Sequence, residues 1–293
     1  MYSIVIPAFN EDEKIISNTI SRCIKVMQQS DFKFEIILID DGSDQKIELK
    51  NKHLRVLTHP HNVGYGKSLK DGIYSSKFDT IIITDADGTY PIEEIPNIIN
   101  TYNNQNFDMV VGARQGKHYD ESTKKKILRL ILKFLVEYTA GRKIPDINSG
   151  LRVFSKNKIL PYFKYLCNTF SFTTSLTLAY MMNGYYVKYI PINYEVRSGK
   201  SKVNMFRDSL RTMQFIVEAM LYYNPIKVFF ALVSFLILSG LISLITYLLA
   251  EFNIVFLIIA ITFFSLGVIS ISLALISIQV KQTINVNDNK IDK

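Results

Sequence analysis

Along the first 115 residues, short apolar runs alternate with stretches whose apolar positions recur every three or four residues. Residues 3–8, 34–40, 54–58, 80–85 and 109–112 are rich in Ile and Val and end in polar residues or glycine. Such runs read as buried strands of a largely parallel sheet. Between the first two, Ile16, Ile20, Cys23, Ile24 and Met27 share one helical face; after Pro91, Ile95, Ile98, Ile99 and Tyr102 share another. This alternation predicts an α/β fold with right-handed crossovers and helices flanking the sheet.

The pattern then changes twice. From about 122 to 141, Lys126, Arg129, Lys133 and Glu137 fall on one helical face, with Ile127, Ile131, Phe134 and Tyr138 largely opposite. That is a basic amphipathic helix, suited to a membrane surface or to packing on a core. A second amphipathic segment, 201–223, carries the stripe Phe206, Leu210, Met213, Val217 and Met220. After Pro225, no charged residue occurs across the 23 positions 228–250, nor across the 29 positions 252–280. At about 1.5 Å per residue each run can cross a hydrocarbon core of about 30 Å. The expected organisation is a catalytic-type domain over 1–200, a juxtamembrane helix over 201–224, a transmembrane hairpin over 225–280 and an unstructured polar tail over 281–293. The two spans are expected at about 228–250 and 254–280.

Charge orients the hairpin. Lys227 precedes it and Lys281, Lys290 and Lys293 follow it, whereas its tip, Glu251-Phe252-Asn253, has no Lys or Arg. The positive-inside rule therefore places the domain and both termini on the cytoplasmic side of the inner membrane. The first strand begins immediately after Met1, so no signal peptide is expected. The net charge of +8 suits anionic lipid or a phosphorylated substrate beside such an anchor, and no nucleic-acid partner is expected. Cys23 and Cys167 have no metal-ligand spacing; Cys23 sits on an apolar helical face, and no disulfide is expected.

In open α/β sheets, ligands bind beyond the carboxyl ends of the strands. Three polar clusters fall there: Ala8-Phe9-Asn10-Glu11, Asp40-Asp41-Gly42-Ser43 and Asp85-Ala86-Asp87-Gly88. Two carboxylates two residues apart at a strand end can grip a hard divalent cation, which bridges a diphosphate. By itself that pair is a common surface feature.

Seven segments in order make it specific. They are Val5-Ile6-Pro7-Ala8-Phe9-Asn10-Glu11, Ile39-Asp40-Asp41-Gly42-Ser43-Asp44, Asn62-Val63-Gly64-Tyr65-Gly66, Asp85-Ala86-Asp87-Gly88, Gly112-Ala113-Arg114, Asp146-Ile147-Asn148-Ser149-Gly150-Leu151-Arg152 and Arg197-Ser198-Gly199-Lys200-Ser201-Lys202. Together they resemble the family-2 glycosyltransferases of GT-A (Rossmann-like) fold. Within that family the chain resembles the branch containing dolichyl-phosphate mannose synthase and bacterial polyprenyl-phosphate glycosyltransferases.

The resemblance implies roles. Pro7, Phe9, Glu11, Asp41 and Asp85 would bind the nucleotide, and Asp85 and Asp87 would hold Mg²⁺ or Mn²⁺. Relatives often place a glutamine where Thr89 stands, so Thr89 or water would complete the metal shell. The segment 62–66 would be a tight turn near the nucleotide. Arg114, Arg129, Ser149, Arg197 and Lys202 would gather the acceptor phosphate. Asp146, Arg114, Arg197 and Lys202 would be the catalytic set, with Asp146 positioning the acceptor or acting as base and Arg152 a structural ion-pair partner. The implied reaction is inverting transfer from a nucleotide sugar to a polyprenyl phosphate, a UDP-sugar being narrowly favoured over GDP-mannose. A homo-oligomer is left open.

Rival readings fit less well. A chain-elongating relative would carry a Gln/Arg-x-x-Arg-Trp signature, and this chain has no tryptophan. A nucleotide-binding oxidoreductase needs Gly-x-Gly-x-x-Gly after the first strand, where Pro7-Ala8-Phe9-Asn10 stands. A non-catalytic membrane scaffold has no use for Asp85 and Asp87.

Overall fold

A computed structural model describes residues 1–115, 123–195 and 205–291, and the side chains of all of these except 123–129, 205–209, 223 and 281–291. The chain divides into two compact units, Met1–Phe215 and Ile216–Lys293. The strands are β1 (Tyr2–Ala8), β2 (Phe34–Asp40), β3 (Leu54–Thr58), β4 (Thr80–Ile83), β5 (Met109–Gln115), β6 (Arg152–Ser155) and β7 (Val187–Asn193). The helices are α1 (Glu13–Gln29), α2 (Tyr65–Ser75), α3 (Ile95–Asn104), α4 (Thr123–Ala140), the single turn α5 (Lys156–Ile159), α6 (Phe172–Met182), α7 (Met205–Tyr223), α8 (Pro225–Leu249) and α9 (Ile254–Ile291).

The first unit is built on one sheet in the order β3-β2-β1-β4-β6-β5-β7. Its neighbours pair in parallel except β6, which runs antiparallel to both β4 and β5. The period-two alternation of side chains sorts the strand residues between two cores. Ile4, Ile6, Ile36, Leu38, Ile82, Val110 and Val153 pack with Ile16, Ile20, Cys23 and Met27 of α1 and Ile95, Ile98 and Ile99 of α3. Val5, Ile37, Ile39, Ile81, Ile83, Met109, Val111 and Phe154 pack with Leu69 and Ile73 of α2 and with Phe172, Leu176 and Tyr180 of α6. Both expected helical faces are thus core faces. Cys23 is a packing residue: it is wholly buried, and burial pushes its thiol up to about 12.

Pro7 sits inside a central strand, where a missing N–H is normally costly. Pairing of β1 with β4 stops at Val5–Ile83. The carbonyl of Ala8 accepts from Asp41 on the β2 side, so the nitrogen of Pro7 faces the side that β4 has already left.

Several elements depart from the expectation. β6 and β7 were not anticipated: β6 has four residues and opens on an arginine, and β7 contains Pro191 and Lys188. The segment 62–66 is not only a turn, because Tyr65 and Gly66 open α2. Gly66 has no room for a side chain, since a Cβ there would lie 2.3 Å from the carbonyl oxygen of Cys167. This close approach brings the 166–169 segment onto the first turn of α2.

α4 differs in orientation from the expected amphipathic helix. Leu132, Val136 and Thr139 are buried, while Leu130, Ile131 and Phe134 are exposed, Leu130 by 67% and Phe134 by 63%. The helix packs against α6 and still leaves an apolar face open. In α7, Leu210, Met213 and Val217 of the expected stripe are exposed, whereas Met220 is buried with Thr212 and Ile216.

In the second unit, α8 and α9 pack along one another. The turn between them places Glu251 and Phe252 at φ 47° and 62°, and Ser243 donates to the carbonyl of Phe256 at 2.8 Å. The segments Pro225–Leu249 and Ile254–Val280 are long and apolar enough to cross a membrane. Their large side chains are mostly open, with Phe230 68%, Phe235 63% and Leu249 80% exposed. Helices at the core of a water-soluble domain would bury them. The tail expected to be unstructured continues α9 as helix to Ile291. Residues 281–291 contain neither Gly nor Pro, so no residue there ends the helix.

Candidate active site

The carboxyl ends of β1, β2 and β4 meet at one edge of the sheet, and the polar clusters lie there as expected. Pro7 and Ala8 are buried within β1, while Phe9 and Glu11 are half-exposed beyond it. Asn10 adopts φ 47° and ties the first loop to the second. Its N–H donates to Ser43 Oγ at 2.9 Å, its amide donates to Asp44 at 3.0 Å, and its carbonyl oxygen accepts from the Asp44 N–H at 2.8 Å.

Asp41 is buried and heavily engaged. It accepts from Asn62 Nδ2 at 2.9 Å, from the N–H groups of Val63 at 3.1 Å and Gly64 at 2.9 Å, and meets His59 Nδ1 at 2.8 Å. Four partners occupy about the full acceptor capacity of a carboxylate. In this arrangement its work is to hold the 62–64 loop. Its neighbour Asp40, wholly buried, accepts from the Ser43 N–H at 3.0 Å through Oδ1 and has no described partner for Oδ2.

Asp85 and Asp87 follow β4, and a hydroxyl orients each of them. Tyr65 donates to Asp85 Oδ1 at 2.8 Å, and burial raises the Tyr65 phenol well above its ordinary pKa, so it stays a donor. Thr89 donates to Asp87 Oδ1 at 2.6 Å, and its N–H reaches the same oxygen at 3.2 Å. Thr89 is itself fully buried, so its hydroxyl serves Asp87 instead of standing at a metal position. Gly150 borders Asp85: a Cβ there would lie 2.9 Å from its Oδ1 and 3.0 Å from its Oδ2.

The segment 146–151 forms the opposite wall. Arg114, at the end of β5, donates from Nε to Asp146 Oδ2 at 2.7 Å and from NH2 to Oδ1 at 2.9 Å. The Arg114 N–H adds a contact to Oδ2 at 3.1 Å, and the Asn148 N–H one to Oδ1 at 3.1 Å. Burial pushes the Asp146 carboxyl up, but the hydrogen bonds and charge of Arg114, helped by the Asn148 amide, outweigh it and hold the carboxyl below its usual range. A general base is most effective with a pKa near the working pH. Asp146 is therefore suited to fixing Arg114 and not to taking a proton.

The wall is held from behind. Arg152 is wholly buried and donates to the carbonyls of Ser149 at 2.7 Å and Ile147 at 3.3 Å and to Thr177 Oγ1 at 2.7 Å. Its described hydrogen-bond partners are all neutral, which corrects the expected ion pair. Ser149 is corrected too: it is buried and its hydroxyl donates to the Gly112 carbonyl at 2.5 Å, so it has no face for an acceptor phosphate. Tyr90, also buried, accepts from the Gly150 N–H at 2.6 Å. Its ring meets Tyr194 edge-on at 5.3 Å, and Tyr194 lies 5.3 Å beneath the Arg114 guanidinium. Asp85, Gly150, Tyr90, Tyr194, Arg114 and Asp146 thus form one chain of contacts.

Arg129, Arg197 and Lys202 lie outside the described side chains. The reading of motifs took Tyr65 only as part of the 62–66 turn and missed Tyr90 and Tyr194, because the residue type alone gives no sign that a hydroxyl or ring meets a carboxylate or guanidinium. Among the described residues no group of three or more His, Cys, Asp or Glu could hold a metal alone. The Asp85–Asp87 pair, held by two hydroxyls and bordered by a residue without a Cβ, still fits Mg²⁺ or Mn²⁺. Such ions are commonly bound by one or two carboxylates together with substrate phosphates.

The sequence model of glycosyl transferase family 2 matches residues 3–163. The chain is 26% identical over 227 residues to the low-salt glycan biosynthesis hexosyltransferase Agl6 of Haloferax volcanii, covering 73% of this chain and 52% of that protein. It is 30% identical over 166 residues to the undecaprenyl-phosphate 4-deoxy-4-formamido-L-arabinose transferase of Photorhabdus laumondii, covering 53% and 49%. It thus spans about half the length of each of these relatives. With the dolichyl-phosphate hexose transferase of Haloferax volcanii it shares 23% over 220 residues, covering 75% and 93%. A crystal structure of glucosyl-3-phosphoglycerate synthase from Mycobacterium tuberculosis in complex with Mn²⁺, UDP-glucose and phosphoglyceric acid matches at TM-score 0.58 and 15% identity, covering 75% and 79%. That likeness is one of fold, the GT-A-like sheet anticipated from the motifs.

The depressed Asp146 carboxyl has a consequence for stability. Its ionised form stabilises the fold above the unfolded carboxyl pKa of about 4, and that contribution is lost as pH falls through the lower folded value. Denaturant unfolding should show Asp146→Asn less stable than wild type by a gap that is constant above about pH 5 and shrinks below about pH 4. A gap that stays constant to pH 3 would contradict the pairing with Arg114.

Proposed function

This chain belongs to glycosyl transferase family 2, and on that premise we propose that it transfers a sugar from a nucleotide sugar to a polyprenyl phosphate at a membrane. The observation that carries the reading is the site itself, in which an oriented carboxylate pair is joined through Gly150, Tyr90 and Tyr194 to a guanidinium locked by its own carboxylate. Two of the relatives are named for undecaprenyl phosphate and dolichyl phosphate, which supports the acceptor class. The structural neighbour holds UDP-glucose and Mn²⁺, which supports a UDP-sugar over GDP-mannose and a divalent cation.

Each part of the site has a task in that reaction. Asp85 and Asp87 would hold Mg²⁺ or Mn²⁺, which supplies neutralising charge to the departing nucleoside diphosphate. Phe9, Glu11 and Asp41 border the nucleotide, Asp41 through the 62–64 loop that it holds. Arg114 is presented in one orientation by Asp146 on its edge and Tyr194 on its face, ready to meet a phosphate. Arg129, Arg197 and Lys202 add cations for the acceptor. A phosphate monoester carries most of its second charge at neutral pH, its second pKa being about 6. The nucleophile therefore needs alignment more than proton removal, which agrees with the low pKa of Asp146. Displacement inverts the sugar.

The hairpin of α8 and α9 anchors the domain, with both termini cytoplasmic. Its basic residues lie at the two ends of the hairpin and not at the tip, and the exposed apolar faces of α4 and α7 suit the interface between headgroups and acyl chains. A single cysteine introduced near residue 290 should react with membrane-impermeant reagents only after the cells are opened; labelling of intact cells would overturn the orientation.

Transfer of labelled sugar to polyprenyl phosphate in detergent, with Mg²⁺ or Mn²⁺ present, tests the chemistry. Asp85→Asn and Asp87→Asn should abolish transfer. Arg197→Ala and Lys202→Ala should lower it about ten- to a hundred-fold, from roughly 1.5–3 kcal/mol per lost charge-assisted contact, while nucleotide affinity is retained. Near-wild-type turnover of Asp87→Asn would remove the metal assignment, and preference for a water-soluble glycan would remove the lipid acceptor.

A further inference from the structure

The family resemblance implied a place for Thr89 in the metal shell, yet three observations give it another task. Its side chain is completely buried. Its hydroxyl donates to Asp87 Oδ1 at 2.6 Å and its N–H to the same oxygen at 3.2 Å, so one residue grips one carboxylate oxygen twice. Its carbonyl accepts from the Glu195 N–H at 2.9 Å, which joins the turn after β4 to the chain leaving β7.

The same junction is clasped from α1. Arg22 donates to Glu93 at 2.9 and 2.6 Å and to Glu195 at 3.3 Å. The turn that carries Asp87 and Thr89 is therefore tied by its backbone to the chain leaving β7, and Arg22 links that chain to the helical turn at Glu93 that follows. Within that turn, the hydroxyl and N–H of Thr89 converge on one oxygen of the Asp87 carboxylate and orient it.

We propose that Thr89 is a positioning residue, whose hydroxyl holds the Asp87 carboxylate in the one orientation that receives a divalent cation and its nucleotide. This rests on the reading of Asp85 and Asp87 as cation-holding residues; the identity of the acceptor does not enter. A hydroxyl hydrogen-bonded to a charged carboxylate is among the stronger neutral-donor contacts, because its loss leaves a buried charge underpaired. Valine has the shape of threonine without the hydroxyl, so Thr89→Val removes the bond to Asp87 together with the hydroxyl's contact to Tyr194, and keeps the backbone link to Glu195. Serine restores the donor.

The test is Mn²⁺ binding to the full-length protein in detergent with UDP and no acceptor, followed by the loss of the free Mn²⁺ electron paramagnetic resonance signal. Thr89→Val should weaken binding about ten-fold, from the roughly 1.5 kcal/mol or more of a hydrogen bond to a charged group, in a protein that still unfolds cooperatively on heating. Thr89→Ser should remain within about two-fold of wild type, since its donor is retained. In turnover, Thr89→Val should raise the KM for the nucleotide sugar at fixed Mn²⁺ more than it lowers kcat at saturation. If Thr89→Val does not fold, Thr89→Ala carries the same comparison. Binding by Thr89→Val equal to wild type, while Asp87→Asn loses it, would overturn this inference and leave the metal assignment standing. A Thr89→Ser as weak as Thr89→Val would overturn it too, by assigning the effect to the methyl group. Wild-type binding by Asp87→Asn would instead remove the metal reading beneath it.

Discussion

A guanidinium with no access to water organises this site. Arg152 opens the one antiparallel strand among the described residues, wedged between β4 and β5, and donates to two carbonyls of the segment that precedes it and to Thr177 of α6. Burying an arginine without a hydrogen-bonded carboxylate is costly, and burial lowers its pKa. The return is geometric. Carbonyls of a loop at a sheet edge would otherwise be free to reorient, and here Ile147 and Ser149 are directed inward at a fixed point. Asp146 and Gly150, on either side, then have little freedom. One of them fixes Arg114, and the other lies against Asp85.

The rest of the site follows the same logic of polar groups held by other buried polar groups. Asp85 and Asp87 are each gripped by a hydroxyl, Asp41 by four donors of the neighbouring loop, and Tyr90 by the Gly150 amide. Such networks fix orientation before any ligand arrives, which suits transfer to an acceptor that is already charged. A polyprenyl phosphate acceptor, as proposed, would come from a place that can store a long apolar chain. The open apolar faces of α4 and α7 and the exposed helices α8 and α9 are consistent with that.

Much of the fold was legible because its signals are periodic. The five strands read from the sequence are present, and so are the core faces of α1 and α3 and both long apolar helices, since each is a repeated pattern over many residues. β6 and β7 were hidden because a strand of four residues opening on arginine, or one containing Pro191, has no such pattern. The site was legible at the level of motifs and less so at the level of roles. Asp85, Asp87, Arg114 and Asp146 do come together around one edge. The tasks of Ser149 and Asp146 depend on where a hydroxyl or a carboxylate points, and spacing along a chain does not carry that information. The resemblance implied a place for Thr89 in the metal shell, whereas its burial and hydrogen bonds tie it to Asp87.

The claim that a buried cation builds the catalytic wall can be separated from the claim that it stabilises the fold. Arg152→Met removes a costly buried charge, but it also leaves the Ile147 and Ser149 carbonyls and the Thr177 hydroxyl without their donor. It should remain folded with a lowered thermal midpoint, while losing its hold on the Ile147 and Ser149 carbonyls. The decisive measurement is sugar transfer by Arg152→Met alongside its thermal unfolding. The account predicts a folded protein whose transfer is at least about ten-fold lower, as expected for misplacement of groups that must align. A folded Arg152→Met with wild-type transfer would contradict it.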